Sequence, residues 1–130
     1  MEKELSNIVT AVGNYNEIPT SISSLASVVT MIDGLTINKV ADKSIWADGL
    51  LTYTITINNQ TSVAYTSPVI SDVIYTSLVE FVTGSVTIDG TTATTDKYSY
   101  DSGTSTLKVT LEDIAPSAAT TVTFRAKKKD

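Results

Sequence analysis

The sequence predicts an all-β fold: a sandwich of two packed sheets, preceded by an N-terminal strand-forming arm. Three observations lead there. Thr, Val, Ser and Ile dominate, and long Leu/Ala/Glu/Lys helical runs are missing, a bias toward pleated, half-buried surfaces. The run LTYTITI at 51–57 puts Leu51, Tyr53, Ile55 and Ile57 on one face and Thr52, Thr54 and Thr56 on the other, the period of two of a half-buried strand. Further short apolar runs recur between turn signals at roughly 8–12-residue spacing, as in a β-sandwich.

Taken in order, residues 7–12 have strand composition. Residues 13–24 read as a polar linker holding Asn14, Asn16 and Pro19. Residues 25–32 are apolar with an ambiguous period. Ile22, Leu25, Val28, Val29 and Ile32 fit a helix face; Leu25, Ser27, Val29 and Met31 fit a strand face. The β-branched run Val28-Val29-Thr30-Met31-Ile32 favours the strand. Asp33-Gly34 breaks the run, and 35–40 starts the next strand. The division is therefore an arm at 1–33 and a sandwich at 34–130.

Within the sandwich, Asp48-Gly49 and Asn58-Asn59 are turn chemistry around 51–57. Strands are expected at 63–66 and 68–74, where Pro68 restricts its strand to an edge or a bulge. Next come 78–81 and 85–88, split by Thr83-Gly84 and closed by Asp89-Gly90, then 97–100. Asp101-Ser102-Gly103 turns into 106–111, with Leu107, Val109 and Leu111 inward. After Ala115-Pro116, residues 120–126 place Val122 and Phe124 on one face.

Composition narrows the function. The chain has 130 residues, enough for one domain with a sizeable core, and 42% are apolar. The net charge of −5 and a pI near 4.5 argue against a nucleic-acid role, which needs a basic footprint. The basic cluster Lys127-Lys128-Lys129 reads as a frayed tail or as a charge partner for an acidic patch on a neighbouring copy. Without cysteine there is no disulfide framework or thiolate site; without histidine the usual general base and zinc ligand are gone. No segment reaches the ~20 apolar residues of a membrane span. No secretion signal follows Met1: either the chain is used without classical secretion, or Met1 begins a processed or recombinant form.

No catalytic constellation stands out, and no cofactor or metal is expected. Asp72, Glu80, Asp89, Asp96, Asp101, Glu112 and Asp113 invite glycosidase chemistry, and Asp96 with Asp101 a calcium site, but most sit at turns. Lys39 with Asn59 or Asp72 raises an intramolecular isopeptide bond, which needs a buried lysine beside the acceptor and a catalytic carboxylate; the plainer reading is a strand-end lysine. Asn59-Gln60-Thr61 matches a glycosylation triplet common by chance. Trp46, Tyr53, Tyr65, Tyr75, Tyr98 and Tyr100 form either a sugar-stacking platform or core and strand packing.

From Leu35 onward the residues LTINKVADKSIWADGLLTYTITINNQTSVAYTSPVISDVIYTSLVEFVTGSVTIDG, then YSYDSGTSTLKVTLEDIAPSAATTVTFRA, resemble the Ig-like conserved-repeat family of bacterial and archaeal surface proteins, often called domain of unknown function eleven. The matching positions are Lys39, Gly49, Tyr53 through Asn59, Asp72, Phe81 through Val86, and Thr121 through Phe124; Asp72 departs from the pattern in having no proline after it. The resemblance implies an Ig-like Greek-key sandwich on a prokaryotic surface. It also implies that two closing strands should follow Phe124, whereas the chain stops at Asp130. Segments like them stand at the other end, in 6–13 and 24–30, so the repeat's final hairpin looks moved to the front.

An open sandwich edge is an association site. The arm either folds back on its own domain or completes the next copy by β-strand addition, and the short Asp33-Gly34 hinge favours the second. The expected function is a structural, self-assembling subunit of a surface filament or spore appendage, a head-to-tail homopolymer located extracellularly or on a spore or cell surface. Its donor-arm contacts are Ile8, Val12, Leu25, Val28, Val29 and Met31. Burial is worth ~1.5–3 kcal/mol for each large side chain. The alternative is a monomeric adhesin or carbohydrate-binding module with a surface or glycan ligand.

Overall fold

A computed structural model describes residues 8–24, 28–29, 34–43, 45–46 and 49–129. Twelve strands and no helix are described, in two antiparallel sheets. The strands are β1 (Ile8–Tyr15), β2 (Ile18–Ser24), β3 (Val28–Val29), β4 (Leu35–Ala41), β5 (Leu50–Asn59), β6 (Tyr65–Val73), β7 (Val79–Phe81), β8 (Thr87–Ile88), β9 (Thr91–Thr92), β10 (Tyr98–Asp101), β11 (Thr106–Thr110) and β12 (Ala118–Lys128). One sheet runs β10-β11-β6-β1-β2-β3. The other runs β4-β5-β12-β8-β9, with β7 also on β12.

The two sheets pack through alternating side chains. On β5 the face read from the sequence is the inner one: Leu51, Tyr53, Ile55 and Ile57 are buried. From β12 come Val122 and Phe124, from β11 Leu107 and Val109, from β4 Leu35 and Ile37. Lys39 follows Leu35 and Ile37 at the same parity, so it points into the sandwich instead of ending the strand in solvent.

β6 is a central strand, and Pro68 is accommodated by a bulge. The β1–β6 register shifts between Val12 and Asn14, opposite Ser67 and Pro68, and Ser67 has φ 48°. The Ser67 amide is held by Asp113 Oδ1 at 2.8 Å. The bulge spares the ladder the hydrogen that proline lacks.

The arm differs most from expectation. Residues 13–24 are not a linker: β1 continues to Tyr15, Asn16 and Glu17 turn with φ 51° and 62°, and β2 returns at Ile18. Two consecutive left-handed residues are the I′ geometry that suits hairpin twist. The strand after the turn is Ile18–Ser24, and within 24–30 the described Val28–Val29 is a further strand pairing with Ser23 and Ser24. Leu25, Met31 and Asp33 lie outside the described residues.

The C-terminal lysines are not a frayed tail through Lys129. Lys127 pairs with Leu50 on one side and Glu80 on the other. Lys129 donates from Nζ to Thr76 O at 2.6 Å and from its amide to Leu78 O at 3.0 Å.

Candidate assembly site

The hairpin β1–β2 is a built-in insert of the first sheet. β1 lies along β6, from Ile8 beside Val73 to Tyr15 beside Tyr65, and β2 lies along β1. β2 also packs on β4 of the opposite sheet. The inward side chains are Val9, Ala11 and Ile22, all essentially inaccessible. Val12, expected to be buried, faces outward at 49% exposure; a shift of one residue in the inward parity moves a side chain to the other face. Ile8 and the pair Val28 and Val29 take part in the backbone ladders.

Tyr65 is the anchor of the hairpin. It is fully buried, and its hydroxyl donates toward Ala11 O at 3.3 Å and Thr20 O at 3.2 Å, one carbonyl from each hairpin strand. Gly13 makes room for the ring. A Cβ there would stand 2.7 Å from Tyr65 Cε1 and 2.9 Å from Thr66 O. Sequence reading placed Tyr65 among sugar-stacking candidates and missed this role; a glycine inside a strand pattern marks close approach of a neighbour and was the available signal.

Burial pushes the Tyr65 phenol up to about 12, and burial with the nearby Asp72 charge does the same for Tyr53. Both folded values lie above the unfolded value of about 10. The stability they contribute is thus present below pH 10 and lost as pH rises toward 12, about 2–3 kcal/mol for each tyrosine. In a phenolate absorbance titration, two of the six tyrosines should ionise only with cooperative unfolding above pH 10. Six tyrosines titrating together near pH 10 with the fold intact would contradict this.

A second feature crosses the sandwich. Lys39 Nζ on β4 meets Asp72 Oδ2 on β6 at 2.7 Å, with the side chains 7% and 0% exposed. The amine also lies 4.3 Å from the Tyr53 ring centroid and 5.5 Å from that of Phe124. Among the described residues neither Nζ nor the Asp72 oxygens have any further hydrogen-bond partner. Burial pushes the lysine down and the aspartic acid up, each opposed by the charge of the other.

Asn59 is not the lysine's partner. It is fully buried, its Nδ2 donates to Val63 O at 2.8 Å and Ile114 O at 3.0 Å, and its Oδ1 accepts from the Thr61 amide and hydroxyl. The glycosylation triplet is therefore inaccessible in the fold.

Of the other candidate carboxylates, Asp89, Asp96, Asp101, Glu112 and Asp113 cap turns or pair on the surface. Asp89 Oδ1 accepts from the Thr121 amide at 2.9 Å, Asp101 Oδ1 from the Gly103 amide at 2.8 Å, Asp96 pairs with Thr94, and Glu112 meets Lys97 at 2.7 Å. Among the described residues no three His, Cys, Asp or Glu side chains gather as metal ligands. A depression of about 490 Å³ beside the hairpin turn, lined by Asn14, Asn16, Glu17, Val63, Ala64 and Thr66, holds a single ionisable group, Glu17. The aromatic residues are spread out: Tyr53 and Tyr65 are in the core, Tyr98 and Tyr100 pack on Phe81, Trp46 is half-buried and Tyr75 is exposed. Among the described residues no helix is long and apolar enough to cross a membrane.

The chain matches no protein-family profile, and comparison with curated proteins and with solved structures returns no significant match.

Proposed function

We propose that this chain is a structural subunit that polymerises head to tail, its N-terminal hairpin completing the sandwich of a neighbouring copy in a surface filament or appendage. The observation that carries the reading is where the hairpin ends. β2 ends at Ser24, level with Val9 and Asp72. β4 enters the other sheet at Leu35, opposite Asn59, at the Tyr65 end. The two points are separated by the length of β2, roughly 20 Å at ~3.3 Å per residue.

Within one chain, a connection of ten residues, 25–34, has a reach of about 33–36 Å, enough for a return over that distance. The antiparallel pairing of Val28–Val29 with β2 follows that return. Between two chains no return is needed: the strand leaves one sandwich and enters the next. The contacts of the hairpin are the same in either case, so exchange is decided by the ordering of the connection and by subunit concentration against the translational freedom lost on association. A repeated unit joined this way has a heterologous interface that builds an open filament unless the rotation closes. The resemblance of residues 35–126 to an Ig-like surface repeat supports the same reading, with a prokaryotic surface as the filament's proposed location.

Electron microscopy of the purified full chain tests it. Filaments whose repeat is about one sandwich long are expected. Dispersed particles of one-chain mass across a concentration series would leave the hairpin closing its own domain and overturn the proposal.

A further inference from the structure

We propose that Lys39 and Asp72 are the two halves of an intramolecular amide cross-link, formed by condensation of the lysine Nζ with the aspartate Cγ, that ties the two sheets of the sandwich together.

The placement buries the lysine beside its acceptor, and, with no third carboxylate described beside the pair, Asp72 itself takes the proton that a catalytic carboxylate would. Nζ sits 2.7 Å from Oδ2 in the core, with Cγ one C–O bond beyond that oxygen, the kind of proximity a near-attack arrangement needs. Lys39 is aimed by a strand whose neighbouring inward positions, Leu35 and Ile37, are fully packed, and Asp72 by Ile70 on β6 and Ile74 just beyond it. The Tyr53 and Phe124 rings flank the amine. Condensation needs a neutral amine and a protonated carboxyl group, and burial drives both partners toward those forms. Among the described residues, Asp72 is the charge that acts on Lys39, and Lys39 the one that acts on Asp72.

The step balances without a co-reactant. A proton passes from the ammonium to Asp72 Oδ2 across the short contact. The freed lone pair of Nζ attacks Cγ, giving a tetrahedral centre. That centre expels the protonated oxygen as water, which takes the second proton from nitrogen. One N–C bond forms, one C–O bond breaks, and nothing is oxidised or reduced. In bulk water an amine and an acid do not condense; two groups held together behave as if present at about 10⁵–10⁸ M, in a site that excludes the water needed for reversal. The product is a neutral amide in place of two ions that are costly to bury.

The bond would join β4, the first strand after the connection, to β6, the strand that receives the hairpin. In a polymer of exchanged hairpins, tension entering at Leu35 would pass to β6 without unfolding residues 40–71. That consequence rests on the proposed assembly; the bond itself does not.

Intact mass spectrometry of the full chain, denatured after folding, tests the bond. A mass lower than the sequence mass by one water is expected, with a branched proteolytic peptide containing Lys39 and Asp72. Lys39→Arg should restore the full mass and keep a cation beside Asp72. The full sequence mass in the wild-type chain would overturn the proposal. So would a water deficit that survives Lys39→Arg or maps to a succinimide at Asp33-Gly34, Asp48-Gly49 or Asp89-Gly90. Succinimides yield to hydroxylamine; the amide does not.

Discussion

A chain lacking residues 1–33 is expected to lose cooperative unfolding and to regain it when a peptide of residues 1–33 is added. The deletion removes β1, β2 and β3, three of the six strands of one sheet. It uncovers the whole β1-facing edge of β6, from Tyr65 to Val73, and an unpaired edge of that length invites association. It also takes Val9, Ala11 and Ile22 out of the core, with Val9 and Ile22 worth about 1.5–3 kcal/mol each. Together with the lost ladder, this is comparable to the ~5–15 kcal/mol that keeps a domain folded. Circular dichroism melting and peptide-binding calorimetry read the two halves of the result. A truncated core that melts like the full chain and ignores the peptide would show the hairpin to be dispensable.

The second large effect is at the Gly13–Tyr65 contact. Gly13→Ala puts a methyl group 2.7 Å from the ring and 2.9 Å from a backbone oxygen. The oxygen has little room to give, and overpacking of this kind costs about 1–3 kcal/mol. Tyr65→Ala empties the pocket of the largest fully buried side chain and should cost about 3–5 kcal/mol. Tyr65→Phe keeps the ring and loses one hydroxyl donor shared between Ala11 O and Thr20 O, about 1 kcal/mol. The diagnostic is the double mutant. With the ring gone, Gly13→Ala should cost less than it does alone, because the closest collision, with Tyr65 Cε1, is removed and only the one with Thr66 O remains. Denaturant melts of the four proteins measure the coupling; additive costs would mean that the two residues do not share the contact.

The sandwich was legible where the chemistry was one-sided. LTYTITI alternates apolar residues with threonines, and β11 and β12 repeat the pattern, so period alone gave their inner faces. The arm was not legible for two reasons. β1 carries apolar residues at both parities, Ile8 and Val12 against Val9 and Ala11; composition cannot say which pair turns inward, and only pairing with β6 decides. The turn has no glycine. Asn16 tolerates a positive φ, but Glu17 does so only because the hairpin holds it there.

The Lys39 pairing was half visible. Its spacing from Leu35 and Ile37 marks an inward position, yet Asn59 and Asp72 were equal candidates in sequence. Asn59 is consumed by the loop that it closes, which leaves Asp72 across the core. Tyr65 had no polar pattern to announce it, because its partners are backbone carbonyls.

Thr10 and Ser71 are directly opposed on β1 and β6, and opposed strand residues have Cα separations of about 4.5–5.5 Å, within disulfide range. The chain has no other cysteine, so the Thr10→Cys, Ser71→Cys double variant reports which molecule supplies the hairpin. After oxidation, a non-reducing denaturing gel should show a ladder of covalent multimers that collapses to one band on reduction. A single one-chain band carrying an internal disulfide would contradict strand exchange between subunits.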